Sequence, residues 1–207
     1  MPDPRPGVNA TVVVLAAGAS RRLGRPKQLL EYDGGPLLAA TLGTARAAGL
    51  PQVVVALGGA AAEIRERVDL TGLNVALNPD FESGCATSIR CALAEVDGAA
   101  DGVVLLLGDQ PGVSVEVVLA LLREAGGSSV GVCEYDDGLG HPLWFARSLF
   151  DRLTSLHGDK AVWKIVDEAR RGDLDLAVLR VPGPIPRDID TWADYVALVG
   201  HSGGPVL

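Results

Sequence analysis

Cysteine is scarce in this sequence, and its three copies form none of the patterns that carry metal or redox chemistry. Cys85, Cys91 and Cys133 include no C-x-x-C pair and make no cluster with the three histidines. The sequence therefore argues against a zinc site and against a framework of structural disulfides. It also contains no Ser/His/Asp or Cys/His constellation, which favours a reaction that needs no protein nucleophile.

The sequence also contains few positively charged residues and no long apolar run. The 18 Lys and Arg residues are outnumbered by 26 Asp and Glu, and the formal net charge of −8 argues against nucleic acid or an anionic membrane as a partner. Residues 1–9 contain Pro and Gly but no apolar signal core, and no run approaches a membrane span. We therefore expect a cytoplasmic protein in which any phosphate site concentrates its positive charge locally.

Aromatic residues make up only 4% of the chain, whereas 48% is hydrophobic, so the core is predicted to be Val, Leu and Ala. Short β-branched runs alternate with helical segments up to Cys133, which predicts a mostly parallel sheet with helices on both faces. The most apolar run, residues 103–107, is placed at its centre. Beyond Cys133 we predict a loop at 136–140 and a short extended piece at 142–145. At this length we expect one domain with a core at about 11–199 and short flexible termini.

The chain is organised around the segment from Val12 to Lys27, VVVLAAGASRRLGRPK. Its β-branched start predicts a buried strand, and the small residues that follow let the backbone lie close to a ligand. Two arginines and a lysine come next, and backbone N–H groups with nearby cations suit a polyanion. The spacing matches neither a Walker loop nor the dinucleotide fingerprint G-x-G-x-x-G. The segment therefore predicts a phosphate-binding loop of another kind.

Four irregular features fall where predicted strands end: residues 16–27, Gly58-Gly59, the turn at 78–84 and Gly108-Asp109. Because ligands of open parallel sheets bind beyond the carboxyl ends of the strands, we expect these features to share one rim. Asp109 follows the most apolar strand directly, where Mg²⁺ can bridge a carboxylate to phosphate oxygens. An aspartate that only caps the next helix is the alternative.

The pattern L-A-A-G-x-S-x-R-x-G-x-x-K, from Leu15 to Lys27, resembles that of the MobA-like nucleotidyltransferases, and within them the MocA branch of molybdenum cofactor cytidylyltransferases. Further motifs follow in the family's order, and the resemblance extends from Val12 to about Leu198. The pair Ala16-Ala17, where guanylyl-transferring relatives usually have Ala-Gly, resembles the cytidylyl branch. The resemblance implies a Rossmann-like, three-layer αβα sandwich and an enzyme that uses Mg²⁺, with Mn²⁺ as an alternative.

The resemblance also implies catalytic roles. Asp109 lies in a G-D-x-P motif that supplies the family's metal-binding aspartate, and Asp188 and Asp190 of D-I-D-T are the candidate second carboxylates, with no basis for choosing between them. In nucleotidyl transfer an acceptor phosphate attacks the α-phosphorus, so a fixed cation stabilises the charge that spreads over the equatorial oxygens. Lys27 is the candidate for that cation and Arg22 for holding the β- and γ-phosphates. A merely solvated lysine is the alternative.

The turn S-G-C-A-T-S at 83–88 resembles the family's G-x-x-x-S turn at the start of a helix. Its N–H groups and hydroxyls are suited to a base edge and a ribose, and simple helix capping by Ser83 is the alternative. The predicted nucleotide-binding residues are Leu15, Ala16, Ala17, Gly18, Ala19, Ser20, Arg22, Lys27, Gly58, Gly59, Asn78, Ser83, Gly84, Thr87, Ser88 and Gly108.

The acceptor side is predicted from G-H-P at 140–142 and G-D-K at 158–160. His141 is expected to donate to an acceptor phosphate, against the alternative of an incidental loop histidine. The family usually continues its G-D-x with Gly-Ala-Arg, whereas this chain continues with Ala-Val-Trp-Lys at 161–164, a departure that falls where the acceptor should bind. The predicted acceptor-binding residues are Gly140, His141, Pro142, Gly158, Asp159 and Lys160.

These motifs together indicate an enzyme that couples CTP to the terminal phosphate of molybdopterin and releases pyrophosphate. Two alternatives stay open: the same chemistry with GTP or another phosphorylated acceptor, and a non-catalytic factor that binds the nucleotide form of the cofactor. The presence of both Lys27 and Asp109 argues against the second, and the missing glycine fingerprint argues against a dinucleotide-dependent reductase. A molybdoenzyme or its maturation chaperone is the candidate protein partner.

Overall fold

The computed structural model describes residues 8–158 and 161–201, which form an α/β fold around a mostly parallel sheet. The strands are β1 (Ala10–Ala16), β2 (Glu31–Tyr32), β3 (Gly35–Pro36), β4 (Gln52–Leu57), β5 (Asn74–Leu77), β6 (Gly102–Leu107), β7 (Val130–Tyr135), β8 (Gly138–Ala146) and β9 (Leu176–Arg180). The helices are α1 (Leu37–Ala47), α2 (Ala61–Arg67), α3 (Cys85–Ala94), α4 (Val115–Ala125), α5 (Phe150–Ser155), α6 (Ala161–Arg170) and α7 (Trp192–His201). Within the described ranges, no helix has the length and apolar character needed to cross a lipid bilayer.

Seven of the strands form one sheet in the order β5-β4-β1-β6-β8-β7-β9, and β2 and β3 form a small separate ribbon. β8 runs antiparallel to both of its neighbours, β6 and β7. The remaining pairs in the sheet are parallel. The predicted central position of residues 103–107 is confirmed, because β6 is the fourth of the seven strands. The carboxyl ends of β1, β4 and β6 therefore meet at one edge.

Helices cover both faces of the sheet and give it three layers. Every residue of β1 is buried, as expected for a strand of a parallel sheet that is covered on both sides. Val12 and Val14 point into one apolar cluster, which contains residues of α1 and α4. Val13 and Leu15 point into the other, which contains residues of α3 and α6. Because its side chains pack alternately into the two clusters, β1 is fixed on both faces, and the loop that follows it starts from a defined position.

The predicted loop at residues 136–140 holds only for the turn at Asp136 and Asp137, because residues 138–140 belong to β8, which forms a hairpin with β7. Gly and Pro in this stretch lower its strand propensity, which is why the sequence suggested a loop. The pairing accommodates them through a register shift: Cys133 pairs with Gly140, and Val132 pairs with Leu143. The two residues between, His141 and Pro142, lie in the resulting bulge, where a proline costs no ladder hydrogen bond.

Candidate active site

A cavity of about 430 Å³ opens at the carboxyl ends of β1 and β6. The loop after β1, the residues after β6 and the first turn of α3 surround it, and Asp190 reaches it from the segment before α7. The predicted rim therefore exists, although fewer of the predicted features reach it: Gly58, Gly59 and Asn78 do not line the cavity. The predicted nucleotide-binding residues that line the cavity are Leu15, Ala16, Ala17, Gly18, Ala19, Ser20, Arg22, Lys27, Gly84, Ser88 and Gly108.

Gln28, which the sequence analysis did not single out, holds the loop after β1 in shape. It is only 2% exposed, and its Nε2 donates to the carbonyl oxygens of Ala16 at 2.7 Å and Gly18 at 3.1 Å. Ser20 adds a second tie, since its Oγ accepts from the backbone N–H of Lys27 at 2.9 Å. Both contacts lie within the protein, so the loop is preorganised for a ligand.

The electrostatic centre of the cavity is Lys27, whose Nζ lies between two carboxylates. It donates to Asp109 Oδ2 and, at 2.9 Å, to Asp190 Oδ1. The side chains of Lys27 and Asp109 are only 12% and 16% exposed. Burial alone would lower the pKa of Lys27, but Asp109 and Asp190 outweigh it and raise that pKa above its ordinary value. Lys27 is therefore an ammonium ion at physiological pH.

Asp190, rather than Asp188, is the second carboxylate that the structure brings to Lys27. Its Oδ2 also accepts from Arg22 at 2.7 Å. Partial burial would raise the pKa of Asp190, but Lys27 and Arg22 hold it below its ordinary value. The carboxylate therefore stays ionised. The capping alternative for Asp109 does not hold, because α4 begins after Ser114, whose Oγ accepts from Val117 N.

Asp188 occupies a different setting from Asp190. Its pKa is raised to about 6, first by partial burial of the carboxyl and then by the negative charges of Asp109 and Asp190. The residue as a whole is exposed and does not line the cavity, so solvent screens part of this effect. Among the residues that the structure describes, no group of three His, Cys, Asp or Glu side chains is poised to hold a metal. The predicted set of three carboxylates is thus reduced to the pair Asp109 and Asp190.

That pair fits a hard divalent cation. Its two oxygens converge on one positively charged nitrogen, so they can also share another cation. Mg²⁺ in particular binds through one or two carboxylates, with substrate phosphates and water completing its coordination. The donor set is therefore suited to a metal that arrives with a nucleotide.

Gly58 and Gly59, predicted to contact the nucleotide, have a packing role in the structure. A Cβ at position 58 would lie 2.5 Å from the carbonyl oxygen of Ala17 and 2.8 Å from Phe81 Cβ. A Cβ at position 59 would lie 2.6 Å from Phe81 Cζ. Neither glycine lines the cavity, whereas Phe81 does. The glycines are needed because Phe81 packs across the end of β4 and forms part of the cavity wall.

Some of the predicted base-reading residues line the cavity, and the others only support the turn beside it. Asn78 is 3% exposed, and its Nδ2 donates to Thr87 Oγ1 and Ser88 Oγ, both at 2.9 Å. Asn78 and Thr87 therefore fix the turn before α3 and do not line the cavity. Ser83 donates to Asp80 Oδ1 at 2.5 Å and makes no capping bond, since α3 begins after Gly84. Gly84 and Ser88 remain at the cavity from this group.

Two charged residues that were not predicted stand at the edge of the cavity. Arg21 NH2 and Glu82 Oε1 form an ion pair at 2.8 Å, and both residues line the opening. Their side chains are 70% and 63% exposed, so the pair contributes little to stability. It links the loop after β1 to the turn that carries Phe81. Arg21 belongs to the cationic segment after β1 but was given no role of its own, and Glu82 had no distinguishing signal because it reads as an ordinary surface charge.

The predicted acceptor-binding residues that the structure describes, Gly140, His141, Pro142 and Gly158, do not line this cavity. Gly140, His141 and Pro142 lie in β8 and its bulge. Gly158 lies beside α3, and its carbonyl oxygen accepts from Ala86 N at 3.4 Å. Asp159 and Lys160 lie outside the described residues. Acceptor binding by these residues stays a prediction.

His141 is placed differently from an exposed loop histidine. It is 6% exposed, packs edge to face against Trp163 at 5.7 Å between ring centroids, and its Nε2 has no hydrogen-bond partner. Burial lowers the pKa of His141 to about 4, so the imidazole is neutral at pH 7. A neutral imidazole can donate only through whichever ring nitrogen carries the proton, and donation by His141 to an acceptor phosphate stays a prediction.

The buried His141 predicts an acid-sensitive fold. The unfolded chain protonates this histidine below about pH 6.5, whereas the folded chain keeps it neutral down to about pH 4. The contribution of the neutral His141 to the free energy of unfolding is thus complete above pH 6.5 and is lost as the pH falls towards 4. Between pH 7.5 and pH 5.0 we expect the wild type to lose about 2 kcal/mol that His141→Gln does not lose, as measured by urea unfolding. The exposed His157→Gln is the control, and equal pH dependence of the His141→Gln and wild-type chains would contradict this account.

The phosphate-loop fold and the paired carboxylates define a domain of the nucleotide-transfer class. The chain belongs to the family of the MobA-like NTP transferase domain, whose model matches residues 12–173.

Solved structures and curated relatives agree with this membership. Rv0371c from Mycobacterium tuberculosis H37Rv is similar with a TM-score of 0.88 and 47% identity, covering 93% of this chain and 97% of that chain. Its complex with manganese gives a TM-score of 0.83 and 43% identity over 93% of this chain and 98% of that chain. Nicotine blue oxidoreductase of Paenarthrobacter nicotinovorans is 39% identical over 116 residues, 54% of this chain and 55% of the relative. A bifunctional protein GlmU from Sorangium cellulosum is 32% identical over 68% of this chain and 32% of its own length. The chain thus spans about half of one relative and a third of the other.

Proposed function

We propose that this chain transfers a cytidylyl group from CTP to the terminal phosphate of molybdopterin, releasing pyrophosphate. The observation that carries the proposal is the convergence of Lys27, Asp109 and Asp190 at the mouth of a preorganised, small-residue loop. Such a cavity suits a triphosphate, because Lys27 and Arg22 line it together with a loop of small residues that lets phosphate oxygens approach the backbone. The choice of CTP is supported by Ala16-Ala17, and the choice of molybdopterin by the Gly140-His141-Pro142 motif.

In this proposal the chain acts by positioning and by electrostatics. An oxygen of the acceptor phosphate forms a bond to the α-phosphorus of CTP, and the bond from that phosphorus to the pyrophosphate oxygen breaks. Lys27 and Arg22 face the phosphate oxygens on which negative charge accumulates. Asp109 and Asp190 would hold Mg²⁺ or Mn²⁺, which supplies Lewis acidity at the phosphates. No protein nucleophile takes part.

Lys27 has a second role in the proposal. Its Nζ serves as counter-ion to both carboxylates, and a triphosphate offers it other oxygen partners. When Lys27 turns to the phosphates, the carboxylates become free to bind a metal. Nucleotide and metal are therefore expected to bind cooperatively, because the nucleotide draws Lys27 away from the carboxylates that the metal needs, and the metal releases Lys27 to the phosphates.

The test is pyrophosphate release from each of the four NTPs with molybdopterin as the acceptor. We expect release with CTP that requires both molybdopterin and Mg²⁺ or Mn²⁺, together with formation of the cytosine dinucleotide. Release with GTP and not with CTP would reject the cytidylyl assignment. Release with CTP only when a phosphorylated sugar, alcohol or acid replaces molybdopterin would reject the acceptor.

Two further outcomes would replace the reaction itself. Tight binding of the cytosine dinucleotide form of the cofactor without any pyrophosphate release would favour a maturation factor. Dye reduction with NADH or NADPH, and no release from any NTP, would favour redox chemistry of the kind named for the nicotine blue oxidoreductase.

A further inference from the structure

Asp190 is carried to the cavity by an irregular segment, residues 182–190, which we call the strap. The strap leaves β9 at the outer edge of the sheet and ends beside Lys27, which follows β1. Between these points, the strand order places β7, β8 and β6 beneath it. A segment without regular secondary structure positions a carboxylate accurately only when other groups fix it along its length.

The turn of the β7–β8 hairpin fixes the first half of the strap. Gly183 N donates to Asp136 Oδ2 at 3.0 Å, and Asp136 N donates in return to the carbonyl oxygen of Gly183 at 2.9 Å. Ile185 N donates to Asp137 Oδ1 at 2.8 Å. The side chain of Ile185 rests on β8, where a Cβ at Gly140 would lie 3.1 Å from its Cγ2. The hairpin thus holds the strap by charged acceptors and by a close apolar contact.

Two buried residues fix the second half. Gln110, 2% exposed, donates from Nε2 to the carbonyl oxygen of Pro186 at 2.8 Å. Ile189 is fully buried, and its backbone N–H donates to the carbonyl oxygen of Asp109 at 3.3 Å. The strap is therefore tied to the backbone of the very residue with which Asp190 shares Lys27.

We propose that Asp137, with Asp136 beside it, is a positioning residue of the carboxylate site: it holds the strap so that Asp190 meets Lys27 and Asp109. Asp137 acts through Ile185 and touches none of the groups that line the cavity. The inference rests on the proposed function only in taking Asp109 and Asp190 as the metal site. It assigns a role in that site to a hairpin turn on the other half of the sheet.

The experiment compares Asp137→Ala, which removes the acceptor for Ile185 N, with Asp137→Asn, which keeps an acceptor oxygen and removes the charge. Asp97→Ala is the matched control, because Asp97 Oδ1 accepts from Ala99 N at 2.8 Å in an exposed turn before β6, at the opposite end of the sheet. Mn²⁺ affinity is measured on the full chain by electron paramagnetic resonance, and amide hydrogen exchange is measured over residues 183–190.

We expect Asp137→Ala to weaken Mn²⁺ binding about five- to tenfold, the effect of one lost hydrogen bond. Its strap amides should exchange faster, while Asp137→Asn and Asp97→Ala stay within about twofold of the wild type in both measurements. Wild-type affinity in Asp137→Ala, or an equal loss in Asp97→Ala, would overturn the proposal. So would an equal loss in Asp137→Asn, because the charge and not the hydrogen bond would then be responsible.

If the wild type takes up no Mn²⁺, the metal site of the proposed function fails, and hydrogen exchange alone decides the positioning role. Faster exchange of the strap in Asp137→Ala, with the Asp137→Asn chain unchanged, would support it. Unchanged exchange in Asp137→Ala would reject it.

Discussion

Asp109→Asn is expected to lower pyrophosphate release about 10²- to 10³-fold, the scale of losing one preorganised electrostatic group at a reacting phosphate. The substitution keeps the size of a side chain that is 16% exposed and removes only its charge. Lys27 keeps Asp190 as a partner at 2.9 Å, so the fold should persist. Turnover is measured with the best NTP and acceptor pair, and circular dichroism checks the fold.

The variants Asp190→Asn and Asp188→Asn test which of these two aspartates is the second carboxylate, a choice that the sequence left open. We expect Asp190→Asn to approach the loss seen for Asp109→Asn, because Asp190 shares Lys27 with Asp109. Asp188→Asn should cost less than about tenfold, since Asp188 is exposed and does not line the cavity. A large loss in Asp188→Asn with near-normal turnover in Asp190→Asn would reverse the assignment of the second carboxylate.

Lys27→Met is expected to lower turnover by a similar factor of about 10³ and to tighten Mn²⁺ binding measured without nucleotide. The first effect follows from loss of the cation that faces the phosphates, and the second from removal of the ammonium group that both carboxylates share. Without a metal the variant should be less stable by about 2–3 kcal/mol, because Asp109 loses its partner in a largely buried setting.

Thermal unfolding with EDTA and with Mn²⁺ tests the second effect. The melting temperature of Lys27→Met should rise on addition of Mn²⁺ by more than that of the wild type. Lys27→Arg is the control for charge, and we expect it to keep stability while failing to restore full turnover, because a guanidinium cannot reproduce a point contact between two oxygens. Weaker Mn²⁺ binding in Lys27→Met than in the wild type would show that Lys27 and the metal do not share the carboxylates.

The elements that could be predicted were those whose pattern does not depend on distant contacts. β1, β4 and β6 are β-branched runs buried on both faces, and such runs mark the centre of a parallel sheet. Of β8 only the extended piece at 142–145 was predicted, because the full length and the partners of an antiparallel strand containing Gly and Pro are set by its neighbours. The start of α7 is equally local, since Thr191 Oγ1 accepts from Asp194 N at 3.2 Å.

At the site, the sequence located charged residues better than amides. Asp109 stands out because a carboxylate comes two residues after a buried strand, and Lys27 stands out because it ends the motif that resembles the family's. Asn78 and Gln28 do not, since an amide reads the same whether it binds a ligand or a neighbouring backbone. In the structure, Asn78 donates to two hydroxyl groups of α3, and Gln28 donates to two carbonyl oxygens of the loop.

The contact between Lys27 and Asp190 joins residues 163 positions apart. Synthesis proceeds from the amino terminus and a domain folds largely as a unit, so the pair of carboxylates around Lys27 can form only after residue 190 has left the ribosome. The proposed transfer reaction therefore requires a chain that has been synthesised at least as far as that residue.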